Sequence, residues 1–369
     1  MKKILLVTRP IAPPWDEASK NFAYYLAKTL GSFNFSLLTK EILPDLPSHI
    51  SQEPIYTSSN LNLGYLQKLK LLKLVKIKNR FDIIHYMLTP TRLSTFLFKT
   101  FLKSKRAKTI QTIATLREDL FSDQTLKKLF FADSIITYSD YAKNKLVSLG
   151  FQNVVRIYPG IDLEKYSFAP KHLATLSMFG IKESDFTIVY PGEYVRLGAT
   201  DLLVDIIPSL ISKIPNLKFI FACRIKNSED LKKKDDVVLK LTEMGIIDRA
   251  VFTDTFSDMP KLYNLADIVV FPVKNMEGKF DVPLAVIEAM ACEKPVIISD
   301  LPILQEFTNE ENCATIPNNS AEKLVEKIAE LYADPDERTR LGRNARKFAE
   351  ENFDINSVSA QYRVVYEKL

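Results

Sequence analysis

At 369 residues the chain exceeds what one hydrophobic core ordinarily supports, so two domains of ordinary size are expected. Hydrophobic residues make up 46% and charged residues 26%, which excludes a disordered or fibrous chain; Cys223, Cys292 and Cys313 are too few and too scattered for a disulfide framework or a structural zinc site. The net charge of +5 conceals an asymmetry: residues 1–165 hold 25 Lys and Arg against 13 Asp and Glu, and the remainder 25 against 32.

A basic first half suits an anionic partner such as phospholipid, a lipid diphosphate or nucleic acid, and suits plain solubility equally. The start, Met1 to Thr8, has the basic opening of a signal peptide, but its apolar run stops at Arg9-Pro10, so it reads as a first buried strand. No stretch approaches the roughly 18 to 20 apolar residues that span a bilayer. A soluble cytoplasmic protein, peripheral on the inner face of the membrane at most, is the expectation.

Apolar, β-rich runs at 3–8, 33–38, 82–86, 108–113 and 133–138 alternate with helical patterns, and a second series follows at 186–190, 218–223, 249–253, 267–272 and 295–299. This rhythm predicts an α/β protein of two doubly wound, Rossmann-like domains, 1–165 and 181–350, with the polar segment 166–180 as linker. Ligands in such sheets sit beyond the carboxyl ends of strands, so two facing domains would form a cleft with one substrate on each side.

On the first side, the loop Ala12-Pro13-Pro14-Trp15-Asp16-Glu17-Ala18-Ser19-Lys20-Asn21 leads from strand to helix. Trp15 can stack on a sugar ring or pack at the domain edge, while Glu17, Ser19 and Lys20 open the helix. His85 ends the strand Phe81 to His85, where a cleft-facing role competes with a structural one. The run Tyr65 to Lys78 combines dense leucines with Lys68, Lys70, Lys73, Lys76 and Lys78, and a second basic run, Lys99 to Lys108, has Phe98 and Phe101 nearby. Together they suit a membrane interface, and core packing explains the leucines as well. The lysine-rich helix lacks the interleaved aromatics of a nucleic-acid binder.

On the second side, Asp281-Val282-Pro283-Leu284-Ala285-Val286-Ile287-Glu288-Ala289-Met290-Ala291 reads as a helix opening with Asp281 as N-cap and Pro283 in the first turn. Leu284 and Ala285 would then offer backbone N–H groups to a diphosphate. Glu288, about two turns in, either accepts both hydroxyls of a ribose or lies in solvent.

The run Tyr263 to Pro272, the segment Asp281 to Ala291 and Lys294-Pro295-Val296-Ile297 resemble the donor-site signature of family-four retaining glycosyltransferases, glycosyl transferases group 1. Ser139 to Leu146, the turn Pro159-Gly160-Ile161-Asp162 and the helix Phe353 to Leu369 agree in order and spacing. The resemblance implies the GT-B fold, with an N-terminal acceptor domain, a C-terminal nucleotide-sugar domain around Gly192, and a last segment, 351–369, crossing back onto the first. It implies no cofactor and no metal, with protein cations and a helix dipole stabilising the departing nucleoside diphosphate.

Several positions depart from the family pattern. Phe280 stands where the first of two glutamates is usual, so Asp281 either holds a donor-sugar hydroxyl in its place or is a plain N-cap. Glu193 and Gly198 occupy the positions of the usual arginine and lysine, leaving Arg196, Arg224 and Lys279 as replacement cations. Ala114 replaces a histidine, and the first loop lacks a glycine pair. The function implied is transfer of a hexose-like sugar from a nucleoside diphosphate sugar to a glycan or lipid-linked acceptor, with retention. The alternative is a catalytically silent GT-B partner of another glycosyltransferase; an epimerase would need acid and base groups that cannot be placed.

Overall fold

The computed structural model describes residues 1–13, 15, 17–58, 64–77, 81–102 and 106–369. Pro14, Asp16, Lys78 and residues 103–105, named above within motifs, lie outside the described residues.

Runs of consecutive buried apolar residues form strands because a parallel sheet covered by helices hides both faces. The first unit, Met1–Ile161 with Asp354–Leu369, contains β1 (Lys3–Ile11), β2 (Asn34–Thr39), β3 (Ser51–Pro54), β4 (Ile83–Tyr86), β5 (Lys108–Ile113), β6 (Ser134–Thr137) and β7 (Val154–Arg156). They pair in parallel in the order β3-β2-β1-β4-β5-β6-β7. The second unit, Asp162–Phe353, contains β8 (Phe186–Tyr190), β9 (Leu217–Phe221), β10 (Ala250–Phe252), β11 (Ile268–Phe271), β12 (Val296–Ser299) and β13 (Ala314–Ile316). Its order is β10-β9-β8-β11-β12-β13, again parallel. Each order reverses once, at β1/β4 and at β8/β11, which places a crevice beyond the carboxyl ends of those strands.

The segment 166–180, expected as a linker, instead belongs to the second unit and contains the helix Leu173–Met178. It is tied down by polar contacts. Asn264 donates to Ser167 O at 2.9 Å and accepts from Ala169 N at 3.0 Å, and Lys171 pairs with Asp267 at 2.8 Å. No helix among the described residues is long and apolar enough to cross a membrane.

The lysine-rich segment divides by face. In the helix Tyr65–Leu72 and the π-type turn Lys73–Ile77, Leu71, Leu74 and Val75 join the core of the first unit. Leu66 and Leu69 stay exposed beside exposed Lys68 and Lys70. Phe98 packs inward on Tyr86 at 4.8 Å rather than outward, while Leu93 and Phe96 of the helix Arg92–Leu97 are exposed.

The C-terminal helix Ile355–Lys368 is part of the first unit, where Ile355 N donates to Ile161 O at 3.0 Å. Lys2 Nζ donates to the carbonyls of Tyr366 and Glu367, both at 3.0 Å, a cation at the negative end of the helix. Tyr362 and Tyr366 are fully buried, with Phe22 5.5 Å from the Tyr362 ring. They enclose His85, which corrects its expected acceptor-side place: it is 0% exposed, with Nδ1 2.8 Å from Tyr366 Oη and Nε2 2.7 Å from Thr112 Oγ1. Burial pushes the imidazole down to about 3, so it is neutral, one nitrogen donating and the other accepting.

Tyr366→Phe leaves Nδ1 of His85 without its partner and should cost about 1–3 kcal/mol, read as a lower urea midpoint at neutral pH. Because the folded imidazole titrates near 3 and the free one near 6.5, protons bind the unfolded chain first as pH falls. The His85 contribution should therefore be complete above about 6.5 and decline toward 3. An unchanged midpoint in the variant would show that the hydroxyl contributes nothing.

Candidate functional site

The switch point of the second sheet lies between β8 and β11, and the loops that follow these strands carry most of the candidate residues. At the end of β8 the buried Tyr190 ring lies against Gly192, so closely that a Cβ there would meet ring carbons and the hydroxyl at 1.9–2.3 Å. The Tyr190 hydroxyl donates to Glu193 O at 3.2 Å and so fixes the start of the loop. Farther along, Gly198 has φ +70°, and a Cβ would sit 3.1 Å from the Lys274 stem. A lysine at that position would be strained in its backbone and crowded by Lys274.

Glu193 is 4% exposed and gathers three cations from three loops. Its Oε2 accepts from Arg196 Nε at 2.6 Å; its Oε1 lies 2.6 Å from Lys226 Nζ, in the loop after β9, and 3.1 Å from Lys279 Nζ, in the loop after β11. Burial alone would raise this carboxyl, but Lys279, Arg196 and Lys226 together overcome it and hold it well below the usual carboxylate range. Burial lowers Lys226 to about 8, and lowers Lys279 too, with Glu193 opposing the shift in each. Arg224 adds to the positive field acting on both lysines. Arg196 Nη1 also donates to Gly278 O at 3.0 Å, joining the β8 loop to the β11 loop. Of the expected cations, then, Arg196 and Lys279 converge on one carboxylate, and Arg224 acts on Lys226 and Lys279. Lys226 and the organising Glu193 were not among the expected binding groups.

The helix Leu284–Ala291 begins later than expected. Pro283 is its N-cap, extended at φ −71° and ψ 121°, and no side chain caps the first turn. Asp281 is therefore not the cap; it stands two residues earlier and is 6% exposed. The amides of Leu284 and Ala285 precede the first intrahelical hydrogen bonds, as donors of an uncapped first turn do. At the far end Arg346 Nη1 donates to Ala291 O at 2.7 Å and to Tyr166 O at 2.8 Å.

Glu288 is 9% exposed, which removes the solvent alternative. Burial raises its carboxyl to about 7, against hydrogen bonds from Tyr166 and Tyr263 and the charges of Lys165 and Lys279. The Tyr263 hydroxyl donates to Oε2 at 3.0 Å. Other residues of the signature have structural duties: Asp267 accepts from Thr187 N and pairs with Lys171, both at 2.8 Å, and Lys294 Nζ donates to Asn264 O at 3.5 Å.

The candidates in the first unit are less united. Trp15 is 39% exposed and lies 4.9 Å from the Tyr24 ring, and its carbonyl accepts from Asn21 at 3.2 Å. Glu17 is the N-cap of the helix Ala18–Thr29 without capping it through its side chain, and pairs with Arg9 at 3.3 Å. Ser19 is half-buried and Lys20 is buried, so the loop presents Trp15 and Glu17 rather than Lys20.

Residues 177–348 match the family described as glycosyl transferases group 1. A D-inositol 3-phosphate glycosyltransferase of Saccharomonospora viridis is 24% identical over 230 residues, 59% of this chain and 52% of that protein. The spore coat protein SA of Bacillus subtilis is 23% identical over 318 residues, 79% of each. The chain thus spans about half the length of the first of these relatives. Among solved structures, Anabaena HepE in complex with UDP superposes with a TM-score of 0.78 at 18% identity, covering 100% of both chains. Sucrose-phosphate synthase from Thermosynechococcus elongatus gives 0.76 at 19%, covering 100% of this chain and 99% of that one. The fold is GT-B.

Gly192→Ala drives a Cβ into the Tyr190 ring and should destabilise the second unit by about 1–3 kcal/mol, measured as a lower denaturation midpoint. Stability equal to the parent would mean that the ring has another place to go.

Proposed function

We propose that this chain, with its glycosyl transferases group 1 domain at residues 177–348, moves a hexose-like sugar from a nucleoside diphosphate sugar to an acceptor hydroxyl, with retention. The observation that carries the reading is the convergence at the β8/β11 switch point: an uncapped helix start, a buried Glu288 about one turn in, and a cluster of cations whose Lys279 acts electrostatically on Glu288. In this reading Glu288 accepts the ribose hydroxyls, the amides of Leu284 and Ala285 receive phosphate oxygens, and Asp281 orients the sugar. Arg196 and Lys279, supported by Arg224, offset charge as the nucleoside diphosphate departs, which lowers the barrier only insofar as that charge is larger in the transition state. Protein cations take the part a metal plays elsewhere, so turnover should persist in EDTA. Trp15 and Glu17 are the groups that would meet a glycan or lipid-linked saccharide. HepE was solved with UDP, which makes UDP-sugars the first donors to try.

The donor screen uses UDP-, GDP- and ADP-sugars, following thermal stabilisation and release of the nucleoside diphosphate, with Glu288→Ala alongside. One donor should stabilise the protein and turn over slowly, and Glu288→Ala should abolish both effects. Because burial holds the Glu288 carboxyl near 7, only the ionised form above that pH accepts both hydroxyls, so donor affinity should rise as pH climbs through about 7. Binding without turnover, with glycan and lipid acceptors present, would replace the enzyme by a silent partner.

Peripheral attachment to anionic lipid on the cytoplasmic face is part of the proposal. It rests on exposed Leu66 and Leu69 flanked by Lys68 and Lys70, on a unit that also exposes Leu93 and Phe96. The protein should sediment with anionic vesicles at low salt, and Lys68→Glu with Lys70→Glu should release it. Failure of the parent protein to sediment would end the idea.

A further inference from the structure

We infer that Glu193 is a positioning residue that assembles Arg196, Lys226 and Lys279 into a cationic cradle for a diphosphate, and that Lys226 is a binding residue of that cradle. The inference rests on the donor reading above and assigns residues at positions where the family motif has no counterpart.

The Glu193 side chain is 6% exposed, whereas those of Arg196, Lys226 and Lys279 are 40%, 28% and 22% exposed. The anion is the most enclosed of the four groups, and each cationic side chain keeps more exposure than the carboxylate it contacts. Three positive charges against one negative charge leave a net +2 in the cluster. Three such heads around one point repel one another, and the buried carboxylate is what makes their convergence favourable. It touches Arg196 with both oxygens and each lysine with one.

Each head comes from a different part of the sheet edge. Arg196 follows β8, Lys226 follows β9 and Lys279 follows β11, so the cradle spans the strands on both sides of the switch point. Lys226 is itself anchored: its backbone N–H donates to Asp230 Oδ2 at 3.1 Å, and Asn227 caps the helix Ser228–Glu243 that follows. The uncapped start at Leu284 lies five residues beyond Lys279 on the same loop. A ligand with two adjacent phosphates matches two net charges beside free helix amides better than a single phosphate does. Where the family has an arginine, this chain has an anion that recruits three cations.

The probe is inorganic pyrophosphate, titrated calorimetrically into the full chain between pH 6 and 9, with orthophosphate for comparison. Lys226→Ala should weaken pyrophosphate about tenfold, the scale of one lost charge-assisted hydrogen bond, and should narrow its advantage over orthophosphate. Glu193→Gln should weaken it to a similar degree. It should also move the alkaline loss of binding to lower pH, because Lys226 loses the carboxylate that supports its proton while burial, Arg224 and Arg196 continue to oppose it. Cys223 and Asp230 are unchanged in both variants. Lys233→Ala, which removes an exposed pair with Asp201, should bind as the parent does.

Equal or tighter binding by Glu193→Gln, with an unshifted pH profile, overturns the inference and makes Glu193 a competitor for the phosphate. If Glu193→Gln fails to fold, a folded Lys226→Ala protein with parental pyrophosphate affinity overturns it alone. A parent that binds a nucleoside diphosphate sugar but gains nothing from Lys226 sinks the cradle and leaves the donor reading standing. A parent that holds pyrophosphate through Lys226 yet binds no nucleotide sugar does the reverse.

Discussion

One buried negative charge organises the second unit's working edge. A carboxylate at 4% exposure is tolerated only when its charge is met at close range, and Glu193 meets that condition through three cations borne on separate loops. The same contacts that stabilise Glu193 determine where Arg196, Lys226 and Lys279 end, so the loops after β8, β9 and β11 are set by electrostatics as much as by packing. The Tyr190 hydroxyl beneath Glu193 O and the Arg196 contact to Gly278 O extend this order to the strand end and the next loop.

What the sequence reveals follows how local each feature is. The alternation of buried runs with helical periods is local, and both doubly wound units could be read from it. Two edge strands could not, although β10 at the other edge of the second sheet was read as 249–253: β3 is Ser-Gln-Glu-Pro and β13 is Ala-Thr-Ile, short and partly exposed, with none of the apolar run that marks a central strand. Glu288, Asn264, Asp267 and Lys294 were visible because they lie within one signature, although only the structure shows that Asn264 and Asp267 fasten segment 166–180 and strand β8.

The features that escaped depend on distance along the chain. Lys226 reaches Glu193 across 33 residues and Lys279 across 86, and no spacing rule links such positions. His85 looked like an edge residue because its partner Tyr366 stands 281 residues away and closes over it. Asp281 looked like an N-cap because its residue type suits one; the extended backbone of Pro283 moved the helix start two residues on.

The second unit is contiguous from Asp162 to Phe353, whereas the first unit is split around it and completed by Asp354–Leu369. On a ribosome the two therefore finish at different times. The second unit has every strand and helix it needs once Phe353 has emerged, while the first has its whole sheet but lacks Tyr362 and Tyr366, leaving Nδ1 of His85 and the Phe22 surface uncovered. Synthesis thus orders assembly: the second unit matures as the chain grows, and the first is sealed only when the helix Ile355–Lys368 docks on a sheet made some 250 residues earlier.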